Sequence, residues 1–600
     1  MYINYLNQDL RVSTDMHEEP YNIVINLQVE WDAVALLLRR KREKNMKKIP
    51  LGISSYQKIY DKGCLFVDKT KEIKYVIDNF DFAFFSRPRR FGKSITLDTI
   101  ATLFSKGVDP YFKDTYIAGN NDDGTPLWNE PIYPVVRLDF SGYDTDSIEL
   151  FREDFASQLN DYEKEYELKL TPCKGKISKT FKAFHQKFAK KFPKGYVILV
   201  DEYDYPLNAF INDKENFELF RKELRSFYAK IKESTICAAI RFMLVTGITR
   251  FKDVSIFSAG SNIIDISYDA NIASIVGYTR EDIQKYFKEY IDIAIEKQHN
   301  CSVSSIDSNT YQLYKNSLLD ELALNYDNIC YDEFGEQSVY STWSVNNFFQ
   351  DVANKSQVEF NDYWFANGGL PTILVNYLQK HLIDLSAFNK KKILVSKETF
   401  TNPTTLQSMD LNVLMAQTGY LSLVKGNNIR KKCELTIPNL ELRKALSSLT
   451  LSNLYGSYFD EVSSDLEDYL ITADPKQIFD KFNEILAKVP RANQAFNLDD
   501  EYIVKTIIQM FVLGADINCY REVYESKGRP DLVIELNNRI IVIEFKYVTN
   551  SKEVDDKLTE AVAQIKDRDY GQSFDCNKTR LKMAVVYDAN EKKLVAFKEC

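Results

Sequence analysis

The stretch RIIVIEFKYV, residues 539–548, constrains this chain more than any other: it is apolar enough for a central strand yet carries a glutamate and a lysine inside it. A charge buried in such a strand is costly unless it is paired or metal-bound. Just upstream, PDLVIEL reads as a second strand, joined to the first by a short turn at Leu536-Asn537-Asn538-Arg539. Side chains alternate along a strand, so Glu544 and Lys546 share a face, and hairpin pairing brings Asp531 beside them. Two carboxylates and an ammonium then converge. Hard divalent cations such as Mg²⁺ take oxygen ligands, so Asp531 and Glu544, with the Phe545 carbonyl, are candidate metal ligands. Lys546 is placed to orient or deprotonate a water. A plain surface hairpin would also carry Asp, Glu and Lys, but it would not embed them in an apolar run.

Around this hairpin the text reads as helix (EYIVKTIIQMFVLG), three strands (CYREVYE, PDLVIEL, RIIVIEFKYV), helix (EVDDKLTEAVAQIKDR) and two more strands (KMAVVYDA, KLVAFKEC). The unit spans 495–600. At 600 residues the chain exceeds what one hydrophobic core supports, so several domains are expected. From 46 to 280, strand-length apolar runs (DFAFFS, YPVVRLDF, YVILVDEY, FMLVTGIT) alternate with amphipathic stretches, the pattern of a parallel sheet flanked by helices. Residues 281–490 read as mainly helical, a lid or linker, with strand-like pieces near GYLSLVK. Residues 1–45 end in the basic RRKREK before Met46, and read as a loosely attached extension or as sequence upstream of a start at Met46.

Composition narrows the chemistry. A net charge of -9 argues against a basic nucleic-acid-wrapping surface and leaves room only for a local basic groove. Nine cysteines without a CxxC pair suit neither a disulfide framework nor a zinc site and point to a reducing cytoplasm. The four histidines (17, 185, 299 and 381) fall in none of the motifs, which leaves the chemistry to carboxylates, lysine and metal. No apolar run is long enough to span a bilayer.

A second constellation lies in FAFFSRPRRFGKSITLDTIATLF: a strand, the loop RPRRFGKS, then apolar Ile95, Leu97, Ile100 and Phe104 at helical spacing. A phosphate-cradling loop needs backbone N–H groups, a helix N-terminus, a lysine and a hydroxyl for Mg²⁺. Gly92, Lys93 and Ser94 supply the last of these, and Arg87, Arg89 and Arg90 add positive charge around a polyphosphate. The usual GxxxxGK(S/T) pattern requires glycine where Arg87 stands, so the loop's first turn must be made differently.

RPRRFGKS resembles the hallmark of the AAA-ATPase-like family, from about 48 to 280, while GRPD followed by EFK resembles the PD-(D/E)XK nuclease superfamily over roughly the last hundred residues. The resemblance implies an α/β multidomain protein: a P-loop ATPase sheet, a helical middle and a restriction-endonuclease-like domain. It implies ATP and Mg²⁺ as cofactors. In the nuclease superfamily a helical glutamate precedes the core strands; Glu501 is the first candidate here and Glu522 the second. Gln564 and Tyr570 match a QxxxxxY-like feature with supporting contacts to phosphate or to Lys546. In YVILVDEYDYPLN, Asp201 would hold Mg²⁺ through water and Glu202 polarise the attacking water; Thr246 would sense the γ-phosphate, and Arg250 act as a finger in cis or in trans. YWFANGGLPTILVNYL, LMAQTGYLSLVK and LTIPNLELRKAL resemble later family markers, with Asn367-Gly368-Gly369 departing from the pattern, and are assigned packing roles. The expectation is an ATP-binding nuclease acting on nucleic acid, with DNA favoured over RNA only by family analogy, and with homo-oligomers formed through the ATPase module. Two rivals remain open: a nucleotide-switched binding protein with an inactive nuclease fold, and an ATPase that remodels protein partners.

Overall fold

A computed structural model describes residues 46–251, 262–364, 373–374, 393–402, 405, 409–424, 431–455, 457–489, 501–521, 528–574 and 577–600. The extension 1–45, Glu522, the NGG turn and the lysines at 390–392 lie outside the described residues.

Strand β1 (Phe82–Ser86) is buried at every position, as an apolar run must be in a parallel sheet covered on both sides. It runs through the loop 87–92 into helix α1 (Lys93–Lys106). Strands β2 (Val135–Asp139), β3 (Tyr196–Asp201) and β4 (Ile240–Gly247) follow, and a two-residue strand β5 (Ile264–Asp265) forms an edge that no sequence pattern announced. Every pairing is parallel, in the order β2-β3-β4-β1-β5. Parallel neighbours need crossovers, made by α1, by helices Ile148–Glu165 and Ile177–Lys191, and by helix Lys214–Ile231. The carboxyl ends of β1 and β4 finish level, Ser86 opposite Gly247, with β3 alongside. Open α/β sheets bind ligands at such strand ends.

The middle region is mainly helical, with three elements that matter below: helix α2 (Thr342–Asn354), helix α3 (Leu440–Tyr455) and the short strand Ser422–Leu423 within GYLSLVK. A separate apolar core around Phe287, Tyr326, Phe348 and Phe349 holds its first helices together.

The C-terminal unit follows the expected order: helix α4 (Glu501–Gly514), strands β6 (Asn518–Arg521), β7 (Leu532–Glu535) and β8 (Arg539–Val548), helix α5 (Val554–Arg568), then β9 (Thr579–Asp588) and β10 (Lys593–Glu599). Strands β7 and β8 form the expected hairpin, with Leu532 opposite Ile543, while β8 and β9 run parallel. Helices α4 and α5 both pack on β8, so residues 540–545 are buried whichever face they occupy. One continuous apolar cluster reaches from Tyr56 in the N-terminal domain through the middle region to Leu594. Among the described residues no helix is long and apolar enough to cross a membrane.

Candidate functional site

Asp531 stands immediately before β7, and its two oxygens are held from opposite sides. Oδ2 accepts from the backbone N–H of Phe545 at 2.8 Å, and Oδ1 from Lys505 Nζ at 2.9 Å. The first bond pins Asp531 across the hairpin next to Glu544. Glu544 is only 2% exposed; its Oε1 accepts from Lys546 Nζ at 3.2 Å, and its Oε2 has no hydrogen-bond partner. Burial pushes this carboxyl up to about 7, with the charge of Asp531 adding to the effect and Lys546 opposing it. Lys546 Nζ also donates to Gln564 Oε1 at 2.9 Å. Gln564 Nε2 donates in turn to the Tyr570 hydroxyl at 3.2 Å, which Arg568 Nη1 reaches at 2.9 Å. Asp531, Glu544, Lys546 and Gln564 therefore meet at one place.

Glu501 joins them through a residue the sequence reading passed over. Lys505, one turn further along α4, donates to Glu501 Oε1 and to Asp531 Oδ1, each at 2.9 Å. Its signal was present: a lysine in an otherwise apolar helix, four residues from the candidate glutamate. Among the described residues no three His, Cys, Asp or Glu side chains converge as a ready metal cluster, and the Lys505 amine stands between the carboxylates of Glu501 and Asp531. The oxygen-only donors Asp531 and Glu544, one of them with a buried and unpartnered atom, nevertheless fit a hard divalent cation.

At the N-terminal site, Gly92 takes φ 98 and Arg90 φ 70. The left-handed turns of the loop thus lie at 90 and 92, not at the position where Arg87 replaces glycine. Lys93 opens α1 and folds back over its own loop, donating to the carbonyls of Arg87 at 2.9 Å and Pro88 at 2.8 Å. Burial lowers the pKa of its ammonium, against the pull of Glu202 and Asp201. Glu202 has the left-handed φ of 47, and burial raises its carboxyl above the ordinary range. Thr246 Oγ1 donates to Asp201 Oδ1 at 2.7 Å, tying the ends of β3 and β4 together. A cavity of about 480 Å³ is lined by Arg89, Arg90, Gly92, Lys93, Ser94 and Glu202, and its other wall is apolar, with Leu51, Ile53 and Ile73.

Thr246 and Asp201, bonded to each other, do not line this cavity, and the two arginines expected at the phosphates point elsewhere. Arg87 is 1% exposed; its Nη1 donates to the carbonyls of Ser86 at 2.8 Å and Ser267 at 2.6 Å, and its guanidinium lies 4.2 Å from the Tyr331 ring. Backbone carbonyls and an aromatic face outcompete solvent for it, so it serves the core. Arg250 is likewise buried, donating to Asp265 Oδ2 and to the Thr401 carbonyl. Neither lines the cavity.

The middle region grips the phosphate-type loop. The Arg90 carbonyl accepts from Thr342 Oγ1 at 2.8 Å and from the Trp343 N–H at 3.3 Å, while Arg90 Nη1 donates to the Tyr363 carbonyl at 2.5 Å. The N–H groups of Tyr363 and Trp364 donate to Glu441 Oε1 at 2.7 and 2.9 Å, and Ser344 Oγ to Glu441 Oε2 at 2.8 Å. Glu441 lies in the first turn of α3, which packs along α4. Lys444 on α3 also donates to Asp516 Oδ1 at 2.7 Å, just beyond α4. Residues 363–364, Glu441 and Lys444, all within stretches assigned packing roles from the sequence, are joints of this connection.

Residues 50–257 match the family model described as Predicted AAA-ATPase, and residues 499–598 match that of the PD-(D/E)XK nuclease superfamily. A protein of Azotobacter chroococcum mcd 1 named "Uncharacterized protein in vnfD 5'region" is 27% identical over 546 residues, spanning 88% of this chain and 94% of that protein. With the parallel sheet and its loop at one end and the carboxylate-bearing hairpin at the other, this chain joins an AAA-ATPase-like domain to a PD-(D/E)XK nuclease superfamily domain.

Proposed function

We propose that the protein is an Mg²⁺-dependent nuclease that cleaves phosphodiester bonds in nucleic acid, DNA before RNA, under the control of ATP bound and hydrolysed at the N-terminal site. The observation that carries this reading is the meeting of Asp531, Glu544, Lys546 and Gln564 around a buried carboxylate oxygen with no partner. Asp531 and Glu544 would hold the cation, which when bound lowers the pKa of water and offsets charge developing on the phosphate. Lys546, steadied by Gln564 and Glu544, orients the attacking water. Glu501 acts from outside that pair through Lys505.

At the other site Lys93 would leave its loop carbonyls for the β/γ-phosphates, Ser94 and Asp201 would hold Mg²⁺, and Glu202 would polarise the water. Arg89 supplies positive charge at the cavity wall. The grip of the middle region on the loop supports control of the nuclease by nucleotide, and assembly through the ATPase module belongs to the same reading. The described cysteines are all free, which suits a cytoplasmic setting.

The test is plasmid nicking with Mg²⁺, with and without ATP. Asp531→Ala and Lys546→Ala should each abolish cleavage, a loss of about 100-fold or more for removing a metal ligand or a water-orienting group; unchanged nicking in either sinks the assignment. The salt bridge of Lys505 to Asp531 favours one rival, a nucleotide-switched binding protein whose nuclease fold holds nucleic acid without cutting. That rival predicts Mg²⁺-independent retention of DNA and no nicks.

A further inference from the structure

Helix α4 presents Glu501 and Lys505 one turn apart, on the side that meets the β7–β8 hairpin. The Lys505 side chain is 10% exposed, and its ammonium sits between Glu501 and Asp531 at equal distances of 2.9 Å. A buried ammonium survives only with such partners, and removing it would leave two carboxylates facing each other. The remaining lone pairs are unevenly distributed. Asp531 gives one oxygen to Lys505 and the other to the Phe545 N–H, whereas Glu544 Oε2 takes no donor at all. Unused coordinating capacity for a cation therefore lies on the Glu544 side of Asp531, at Glu544 Oε2, and the Glu501 side is already filled by a positive charge.

Resting on the nuclease reading above, we infer that this centre takes one divalent cation, held by Asp531 and Glu544, and that Lys505 permanently occupies the place a second cation would take between Glu501 and Asp531. With the three carboxylates ionised and Lys505 and Lys546 charged, the group carries one net negative charge. One dication reverses that balance; a second would leave the pocket strongly positive, at a large cost in a low-dielectric setting. Glu501 is thereby a positioning residue, setting Lys505, and Lys505 sets Asp531.

The experiment counts Mn²⁺ ions on the full chain without nucleotide, by equilibrium dialysis and electron paramagnetic resonance. Asp531→Asn defines the background from elsewhere in the molecule. Above it, the wild type should bind one ion, Glu501→Gln should still bind one, and Lys505→Met should bind two, returning to one in Lys505→Met combined with Glu501→Gln. Two Asp531-dependent ions in the wild type, or a Lys505→Met protein that gains none, overturn the inference while leaving a metal-dependent nuclease in place. Binding that Asp531→Asn does not change removes the nuclease reading itself, and this inference with it. Should Lys505→Met fail to fold, the wild-type count and its indifference to Glu501→Gln decide the matter alone.

Discussion

Glu544 keeps an oxygen without a donor inside a covered strand, and its carboxyl is pushed up to about 7 chiefly by burial. Without metal, the folded protein therefore holds this proton more tightly than the unfolded chain. A raised carboxyl pKa contributes stability that is fully present below the ordinary value near 4.5 and is lost as pH rises through about 7. Glu544→Gln, which cannot ionise, should then be the more stable protein in EDTA at about pH 8, by on the order of 3 kcal/mol, and should lose that advantage at about pH 5. Urea melts at the two pH values measure it. A constant difference between them would show that Glu544 is solvated and that its pKa is ordinary. The same proton competes with metal, so Mn²⁺ affinity at the Asp531–Glu544 pair should fall as pH drops below about 7.

From the end of β1 into the first turn of α1, the eight residues RPRRFGKS carry two kinds of cation that the sequence does not distinguish. Lys93 stands in the cavity wall, because the GKS string fixes its place at the helix start. Arg87 does not, because its direction is set by the Ser267 carbonyl and the Tyr331 ring, far off in the chain. Substitution should separate them. Lys93→Ala should weaken ATP binding by about tenfold or more through the lost phosphate contact, read by titration calorimetry. Arg87→Met should cost roughly 3 kcal/mol of stability by leaving buried carbonyls unmet, with ATP affinity of the folded protein unchanged. If Arg87→Met weakens ATP and spares stability, the side chain serves phosphate after all. The same limit explains which elements were legible. Fully buried strands such as β1 and β3 announce themselves as apolar runs, and the β7–β8 hairpin places Asp531 by simple alternation. The edge strand β5 is too short to show a period. Lys505 lay in plain text, but periodicity tells which face a residue occupies and not which carboxylate waits across the gap.

The proposed nucleotide site and the proposed nuclease site influence each other only if some element between them has two arrangements that both ligands bias. The material for such an element lies between the loop and α4. Arg90 is tied to Thr342, Trp343 and Tyr363; Tyr363 and Trp364 converge with Ser344 on Glu441; and Glu441 begins the helix that packs on α4, the carrier of Glu501 and Lys505. Glu441 is buried and its carboxyl is pushed up to about 7 by that burial, so this joint is polar and sealed from water. On the proposed function, Lys93 would leave the Arg87 and Pro88 carbonyls for a nucleotide, and the loop would lose its internal braces. That change would reach Thr342, Trp343 and Tyr363 first, because these are the residues to which Arg90 is fastened. Glu441→Leu removes the acceptor shared by three donors and should cut the connection without touching the cavity lining. Hydrogen exchange over 501–514 should respond to a non-hydrolysable ATP analogue in the wild type and not in Glu441→Leu, while affinity for the analogue stays within about threefold. A wild-type α4 whose exchange ignores nucleotide would mean that the two domains share a core but not a signal. An equal response in wild type and variant would place the connection elsewhere in the continuous apolar cluster.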